Sequence, residues 1–288
     1  MNDALDPIPV IGGIGPLAAD YDLMLCDVWG VLHNGRDVFA PAVGAARAFR
    51  DLGGTVVLIS NSPRPRPRLI EQLDGLGVAR SAYDAVVTSG DVTRAELTAR
   101  PGVEVFHLGP ERDKGIFEGL DLAFAPVGEA DIVVCSGLFD DTSETPEDYR
   151  DCLARLKKLS LPMICANPDI QVERGDTLVY CAGALAQAYE RLGGEVVYAG
   201  KPHRPIYDLA FAEAGALRGA QVAGERVFAV GDGLDTDMAG AAAIGVDAFY
   251  VASGLHGGGR GSLDEGKVAR LFEGRVARPL AALSELRW

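Results

Sequence analysis

Short apolar runs alternate with amphipathic stretches along most of the chain. The apolar runs are continuous rather than alternating, which is typical of strands covered on both faces, and they lie at 23–26, 55–60, 85–89, 131–136, 162–166, 195–200, 226–232 and 247–251. Amphipathic stretches between these runs predict helices at 42–52, 68–76, 146–159, 183–192 and 206–217. This succession predicts an α/β fold with a mainly parallel, doubly wound sheet.

Four of the predicted strands end at polar residues that could carry chemistry. Asp27 ends the first run, Ser60 and Asn61 close the second, Lys201 follows the run at 195–200, and Asp232 ends the run at 226–232. In open parallel sheets, ligands bind beyond the carboxyl ends of the strands. We therefore expect these side chains to form one site.

The chemistry of these groups favours phosphoryl transfer. Asp27 and Asp232 can share a hard divalent cation such as Mg²⁺, which prefers oxygen ligands. Ser60, Asn61 and Lys201 can hold the oxygens of a phosphoryl group. A carboxylate in line with the phosphorus can attack it and form an aspartyl-phosphate.

Each motif alone also has an ordinary structural explanation. An Asp at the end of a strand often caps a turn or a helix, and Ser-Asn-Ser at 60–62 could cap the next helix. Gly-Lys-Pro could be a plain turn, and the acidic loop at 231–237 could be a turn that mimics a calcium loop without its final Glu. The occurrence of all four motifs in order favours the chemical interpretation.

The order DxxGV, SN, GKP and GDGxxTD resembles the haloacid dehalogenase-like (HAD) hydrolase superfamily. The insertion before Lys201, which contains ANPD at 166–169, is similar to the C2-type cap of class IIA, the group of nucleotide, p-nitrophenyl, pyridoxal and phosphoglycolate phosphatases. The resemblance implies a Rossmann-like HAD core of residues 1–91 and 196–288 with an inserted α/β C2-type cap at 92–195. It implies a Mg²⁺-dependent phosphatase acting on a small phosphorylated metabolite.

The resemblance also implies a role for each matching residue. Asp27 corresponds to the nucleophile and a metal ligand, and Lys201 to the lysine that neutralises the nucleophile and the phosphate. Ser60, with Asn61 beside it, corresponds to the phosphate-binding hydroxyl. The remaining metal positions are the backbone carbonyl of Trp29, the carboxylate of Asp232 and, in the outer shell, Asp237.

Trp29 is the departure from the family pattern, because most of these phosphatases carry Asp at that position. That Asp protonates the leaving group and activates water, and an indole has only a donor N–H. The chain could be a slow or specialised phosphatase. In that case His33 could donate the proton, and the alternative is that His33 only forms hydrogen bonds with the loop backbone. The chain could instead run a different reaction, which a C2-type cap disfavours. Alternatively, it is a low-turnover or inactive protein that binds a phosphorylated ligand for regulation.

The polar loop at 166–176 in the predicted cap provides the candidates for substrate contact. These are Asn167, Asp169 and Arg174, and the alternative is a surface hairpin turned by Asn-Pro-Asp. The resemblance places this loop facing the phosphate site. No aromatic residue in the loop indicates stacking on a ring.

Charge and cysteine content narrow the possible partners and compartment. The 27 basic and 41 acidic residues give a net charge of −14, which disfavours binding to nucleic acid or to an anionic membrane. The five cysteines form no CxxC pair, which is typical of free thiols in a reducing compartment, and the N-terminal residues lack the basic region of a signal peptide. We expect a cytoplasmic protein, and by analogy a homodimer formed through the cap.

Overall fold

The computed structural model describes residues 7–174, 177–252 and 263–288. The chain divides into two compact units, the first made of Met1–Ile59, Leu73–Val86 and Ala210–Trp288, and the second of Ser60–Gln72 and Val87–Leu209. The predicted cap at 92–195 lies in the second unit, which also includes short stretches that the sequence assigns to the core. The predicted domain limits therefore stay a prediction.

The described residues form thirteen strands and nine α-helices. The strands are β1 Leu23–Asp27, β2 Thr55–Ser60, β3 Ala85–Thr88, β4 Val103–Leu108, β5 Leu122–Phe124, β6 Ile132–Cys135, β7 Met163–Cys165, β8 Gln171–Arg174, β9 Thr177–Tyr180, β10 Val196–Tyr198, β11 Val227–Gly231, β12 Asp247–Val251 and β13 Ala281–Leu283. The helices are α1 Gly15–Ala18, α2 Ala40–Asp51, α3 Arg66–Leu76, α4 Ser89–Thr98, α5 Arg150–Lys158, α6 Ala182–Arg191, α7 Arg204–Arg218, α8 Ala239–Ile244 and α9 Glu265–Leu271.

A six-stranded sheet has the order β13-β12-β11-β1-β2-β3. The pairs from β13 to β2 are parallel, so β1 is bonded on both edges, with Cys26 level with Leu58 on one side and with Val230 on the other. Every residue of β1, β2 and β11 is buried, as their continuous apolar sequences predict. Each fully buried Leu or Val contributes about 1.5–3 kcal/mol to the free energy of folding, so the burial of β1 stabilises the middle of this sheet.

The second unit contains a five-stranded sheet of order β10-β7-β6-β4-β5, in which every pair is parallel. Its core includes β6, β7, α5 and α6, with large side chains such as Tyr149, Leu156 and Tyr189. The antiparallel pair β8–β9 belongs to the same unit. Two parallel sheets with helices between their strands confirm the predicted α/β fold.

Local sequence explains how several helices begin and end. Thr88 caps α4, because its hydroxyl accepts the backbone N–H of Asp91 and the Asp91 carboxylate accepts the N–H of Thr88 in return. The predicted helix at 146–159 begins instead as a 3₁₀ turn at Pro146–Tyr149 and continues as α5.

Within the described ranges, no helix is both long enough and apolar enough to cross a membrane.

Candidate active site

Three buried carboxylates meet at the carboxyl ends of β1 and β11 in the first unit. Asp27 is the last residue of β1, Asp232 follows β11, and Asp237 lies in a π-helical turn at Leu234–Met238. One oxygen from each carboxylate lies within 4.8 Å of the others, and all three residues are buried. The structure thus brings together the three acids that the sequence singled out.

Glycines allow these carboxylates to approach the backbone. Gly30 has φ +84°, and a Cβ there would lie 2.7 Å from Asp232 Cγ and would overlap Oδ2 of the same carboxylate. A Cβ at Gly231 would overlap the Asp237 side chain, whose Oδ2 accepts the backbone N–H of Gly233 at 3.1 Å. The glycines at 30 and 231 therefore provide the space that the acids fill.

The donor set fits a hard divalent cation. Three carboxylates held this close in a buried place repel one another, and this repulsion is costly in a low-dielectric interior unless positive charge compensates it. Magnesium selects oxygen ligands and is bound by one or two carboxylates in many phosphate-handling sites. Among the described residues of the first unit, Asp27, Asp232 and Asp237 could hold such an ion.

The loop after β1 folds back on itself. The N–H of Gly30 donates to the carbonyl oxygen of His33 at 2.8 Å, and that of Leu32 donates to Val28 at 2.9 Å. The half-buried indole of Trp29 packs edge-on against the His33 ring, with centroids 5.3 Å apart, and a Cβ at Gly35 would lie 2.9 Å from its Cζ3. The indole thus serves the packing of its own loop.

His33 is buried and accepts a hydrogen bond within the same loop. Its Nδ1 accepts the backbone N–H of Gly35 at 2.8 Å, so the ring proton resides on Nε2, which has no hydrogen-bond partner within residues 7–174, 177–252 and 263–288. Burial lowers the pKa of His33 to about 4, so the ring is neutral at pH 7. These contacts support a loop-holding role, and the suggested proton transfer by His33 stays a prediction.

The second unit gathers another set of the predicted residues around Asn61. Ser60, Asn61 and Lys201 are all buried, and Ser60 Oγ accepts the N–H of Ser62 at 3.2 Å. Asn61 Oδ1 accepts the backbone N–H of Lys201 at 2.7 Å, while its Nδ2 donates to the Lys201 carbonyl at 3.1 Å and to Asp169 Oδ1 at 2.8 Å. The Asn61 amide is therefore engaged by protein groups at both ends.

Asn167 makes the turn that the alternative interpretation of the ANPD loop predicts, whereas the ion pairs of Arg174 were not predicted. Asn167 Oδ1 accepts the backbone N–H of Asp169 at 3.1 Å, which closes an Asx turn. Arg174 forms a bidentate pair with the buried Asp141, at 2.9 and 2.6 Å, and Arg112 bonds the same carboxylate. Asp141 and Arg112 carry no motif, and the three residues are far apart in sequence, so no local signal identified the cluster.

Comparisons with known proteins identify the family. The parallel α/β fold places the three buried acids of the first unit at the carboxyl ends of β1 and β11, where open parallel sheets bind ligands. A family model described as haloacid dehalogenase-like hydrolase matches residues 24–123, and a second HAD-hydrolase-like model matches 198–270. A solved haloacid dehalogenase-like hydrolase from Brucella suis 1330 is 48% identical, with a TM-score of 0.85 over 95% of this chain and 98% of that one. The chain belongs to the haloacid dehalogenase-like hydrolases, which confirms the family predicted from its motifs.

More distant relatives carry activities in their names. Human glycerol-3-phosphate phosphatase is 29% identical over 274 residues, which cover 83% of this chain and 81% of the human protein. A glycerol phosphate phosphatase from Mycobacterium tuberculosis, solved in complex with calcium, is 22% identical with a TM-score of 0.66, over 91% of this chain and 72% of that one. The latter likeness shows a shared fold.

Proposed function

We propose that this chain is a magnesium-dependent phosphatase that releases inorganic phosphate from a small phosphorylated metabolite. The observation that carries the proposal is the set of buried carboxylates of Asp27, Asp232 and Asp237 within 4.8 Å of one another. Family membership and the relatives named as phosphatases support the reaction class. In this proposal the cation is held by Asp27, Asp232 and the carbonyl of Trp29, with Asp237 behind them.

The proposed reaction has two displacements. A carboxylate oxygen of Asp27 attacks the phosphorus, the ester P–O bond breaks, and the electron pair leaves with the alkoxide, which takes up a proton. Water then attacks the aspartyl-phosphate, which releases phosphate and restores the carboxylate. Ser60 and Lys201, with Asn61 beside them, hold the phosphoryl group, and the Lys201 ammonium neutralises its charge. A cation held by the acids would supply further charge neutralisation.

Trp29 sets the expected substrate range. General acid–base catalysis contributes roughly 10²–10⁴-fold, and an indole provides none of it. We therefore propose that turnover is fast for esters with good leaving groups and slow for alkyl phosphates. The predicted substrate contacts of Asn167, Asp169 and Arg174 belong to the same proposal, with residues 92–195 as the cap that covers the bound ester.

A second candidate function rests on the same tryptophan. On this alternative the protein binds a phosphorylated ligand with little or no turnover and acts as a regulatory or sensing protein. The exchange of the acid–base position for Trp29, which serves the loop packing described above, is the observation that favours it. A binding protein has no need of an in-line carboxylate, so the presence of Asp27 favours the phosphatase.

One experiment separates the two functions. The purified chain is tested with Mg²⁺ against p-nitrophenyl phosphate and a panel of sugar, nucleotide, cofactor and glycerol phosphates, and Asp27→Asn is run beside it. Metal-dependent phosphate release that disappears in the variant supports the phosphatase. Tight binding of one phosphate ester without any phosphate release supports the alternative. If the chain neither binds nor hydrolyses any ester of the panel, both proposals are contradicted.

We also propose a cytoplasmic location and a homodimer formed through residues 92–195. All five cysteines are free thiols in the structure, and four of them are buried, which suits a reducing compartment. The dimer is tested by light scattering of the purified protein, and a monomer at micromolar concentration would contradict it.

A further inference from the structure

The side chain of Asn61 lies between the backbone of Lys201 and the carboxylate of Asp169, 140 and 108 residues away in the chain. Three hydrogen bonds use both ends of one amide, because Oδ1 accepts from the Lys201 N–H while Nδ2 donates to the Lys201 carbonyl and to Asp169. Lys201 and Asn61 are both buried. The backbone of Lys201 is thus fixed on both of its polar groups by a single side chain.

Asp169 reinforces the orientation of this amide, which the N–H and the carbonyl of Lys201 also favour. An ionised carboxylate only accepts hydrogen bonds, so it requires the NH₂ group of Asn61 to face it. With the NH₂ group so placed, the amide oxygen faces the N–H of Lys201. A flipped amide would set its oxygen against the carboxylate and its NH₂ group against a backbone N–H, and both contacts repel.

Packing around the amide leaves little room for other arrangements. A Cβ at Gly200 would lie 2.8 Å from Pro168 Cδ and would overlap both Asn61 Oδ1 and Ser89 Oγ. The residue before Lys201 therefore has to be a glycine for the chain to pass this close to the amide. Asn167 also holds Asp169, because its Oδ1 accepts the backbone N–H of Asp169 in an Asx turn.

We propose that Asp169 is a positioning residue for Lys201 that acts through the amide of Asn61. This inference rests on the proposed function, in which the Lys201 ammonium neutralises the phosphoryl group. Asp169 sets the Asn61 amide, the amide fixes the Lys201 backbone, and the lysine side chain leaves from a fixed Cα. The side chain of Asn61 then supports the backbone of Lys201, and the loop at 167–169 determines the position of the lysine.

Paired substitutions test the hydrogen-bond chain. Asp169→Ala is expected to lower kcat about 10- to 100-fold with little change in KM, because misplacement of a catalytic group by about 1 Å costs on the order of 10²-fold. Asp169→Asn is expected to stay within about threefold of wild type, since an amide oxygen still accepts the bond. Asp151→Ala, an exposed position on α5, is the control for loss of an acidic side chain.

A reversed pair gives a second arm that preserves side-chain size. Asn61→Asp sets two carboxylates against each other and is expected to lose activity at least as strongly as Asp169→Ala. Adding Asp169→Asn restores a donor opposite an acceptor, so the double variant is expected to recover part of the lost kcat. A double variant no better than Asn61→Asp alone, or an Asp169→Asn variant as impaired as Asp169→Ala, overturns the proposal.

A measurement independent of activity separates this inference from the proposed function. Lys201 is only 2% exposed, so its acetylation by acetic anhydride, followed by mass spectrometry, is expected to be slow in the wild type. Asp169→Ala is expected to raise that rate about tenfold. In the wild type, local opening that exposes Lys201 has to break the hydrogen bond from Asn61 to the charged Asp169, and the variant lacks this bond, so it opens more easily. An unchanged rate overturns the positioning role, whereas absence of turnover in the wild type overturns the phosphatase proposal alone.

Discussion

Substitution of Gly30 with alanine tests the carboxylate cluster most directly. Gly30 has φ +84°, and the new Cβ would lie 2.7 Å from Asp232 Cγ. Ordinary van der Waals contact begins near 3.5 Å, so the carboxylate has to withdraw by at least about 0.8 Å, and by more to relieve the overlap with its Oδ2. The positive φ adds a backbone cost of roughly 1–2 kcal/mol for any residue other than glycine.

Gly53 provides the matched control for this substitution. It lies just after α2 with φ +91°, and a Cβ there would meet nothing within 4 Å. Gly53→Ala therefore carries the backbone cost of roughly 1–2 kcal/mol without displacing a carboxylate. The difference between the two variants isolates the effect of moving Asp232.

We expect Gly30→Ala and Gly53→Ala to lose similar stability from backbone strain, with a further loss in Gly30→Ala from crowding. Only Gly30→Ala should weaken Mg²⁺ binding and lower kcat, by about 10²-fold for a displacement near 1 Å. The measurements are urea unfolding, calorimetric titration with Mg²⁺ and hydrolysis of p-nitrophenyl phosphate. Equal Mg²⁺ affinity and equal turnover in the two variants would refute a metal site that depends on the position of Asp232.

The two remaining predictions concern Trp29 and His107. Trp29→Asp is expected to raise kcat on alkyl phosphates by about 10²-fold and to leave p-nitrophenyl phosphate nearly unchanged, because only poor leaving groups need a proton donor; an equal effect on both substrates would contradict this. Burial, with the Lys114 ammonium nearby, lowers the pKa of His107 to about 4. The unfolded chain therefore binds the extra proton between about pH 6.5 and 4, and stability falls as the pH drops through that window, by no more than about 3 kcal/mol. Urea unfolding at pH 7 and 4.5 should show a smaller loss in His107→Gln, and an identical loss would exclude this histidine as a source.

The central sheet could be predicted because its sequence signals are local and strong. The runs that became β1, β2 and β11 are continuously apolar, and burial on both faces is the physical reason. Asp27 and Asp232 were predicted for a related reason, since a carboxylate directly after such a run stands at the end of its strand. The structure brings their side chains together, as expected.

Other strands gave weaker signals. β4 mixes exposed residues such as Glu104 with buried ones such as Val105, and β5 and β13 have only three residues each. In the antiparallel β8–β9 pair, β8 is mostly polar (QVER), and the apolar run of β9 (TLVY) continues without a break towards α6. Short or half-exposed strands bury little apolar surface, so their sequences contain too few apolar residues to form a recognisable hydrophobic pattern.

Side-chain partners across long distances were not predictable either. Asp141 pairs with Arg112 and Arg174, which lie 29 and 33 residues away, and nothing in the local sequence connects them. Asn61 was predicted as a phosphate ligand from its position after β2, while its amide bonds Lys201 and Asp169. A strand end tells which residues can reach a site, but the packing of distant loops decides which atoms they contact.

The position of β1 between two parallel neighbours has a consequence for how this protein can change. Hydrogen bonds on both edges hold the backbone of Asp27 in register with β2 and β11, so the nucleophile proposed here cannot be relocated without dismantling the sheet. Trp29 stands two residues beyond the strand, in a loop closed by its own hydrogen bonds. Substitutions at that position can alter reactivity while the scaffold stays intact, which makes residue 29 a natural entry point for evolving new leaving-group preferences.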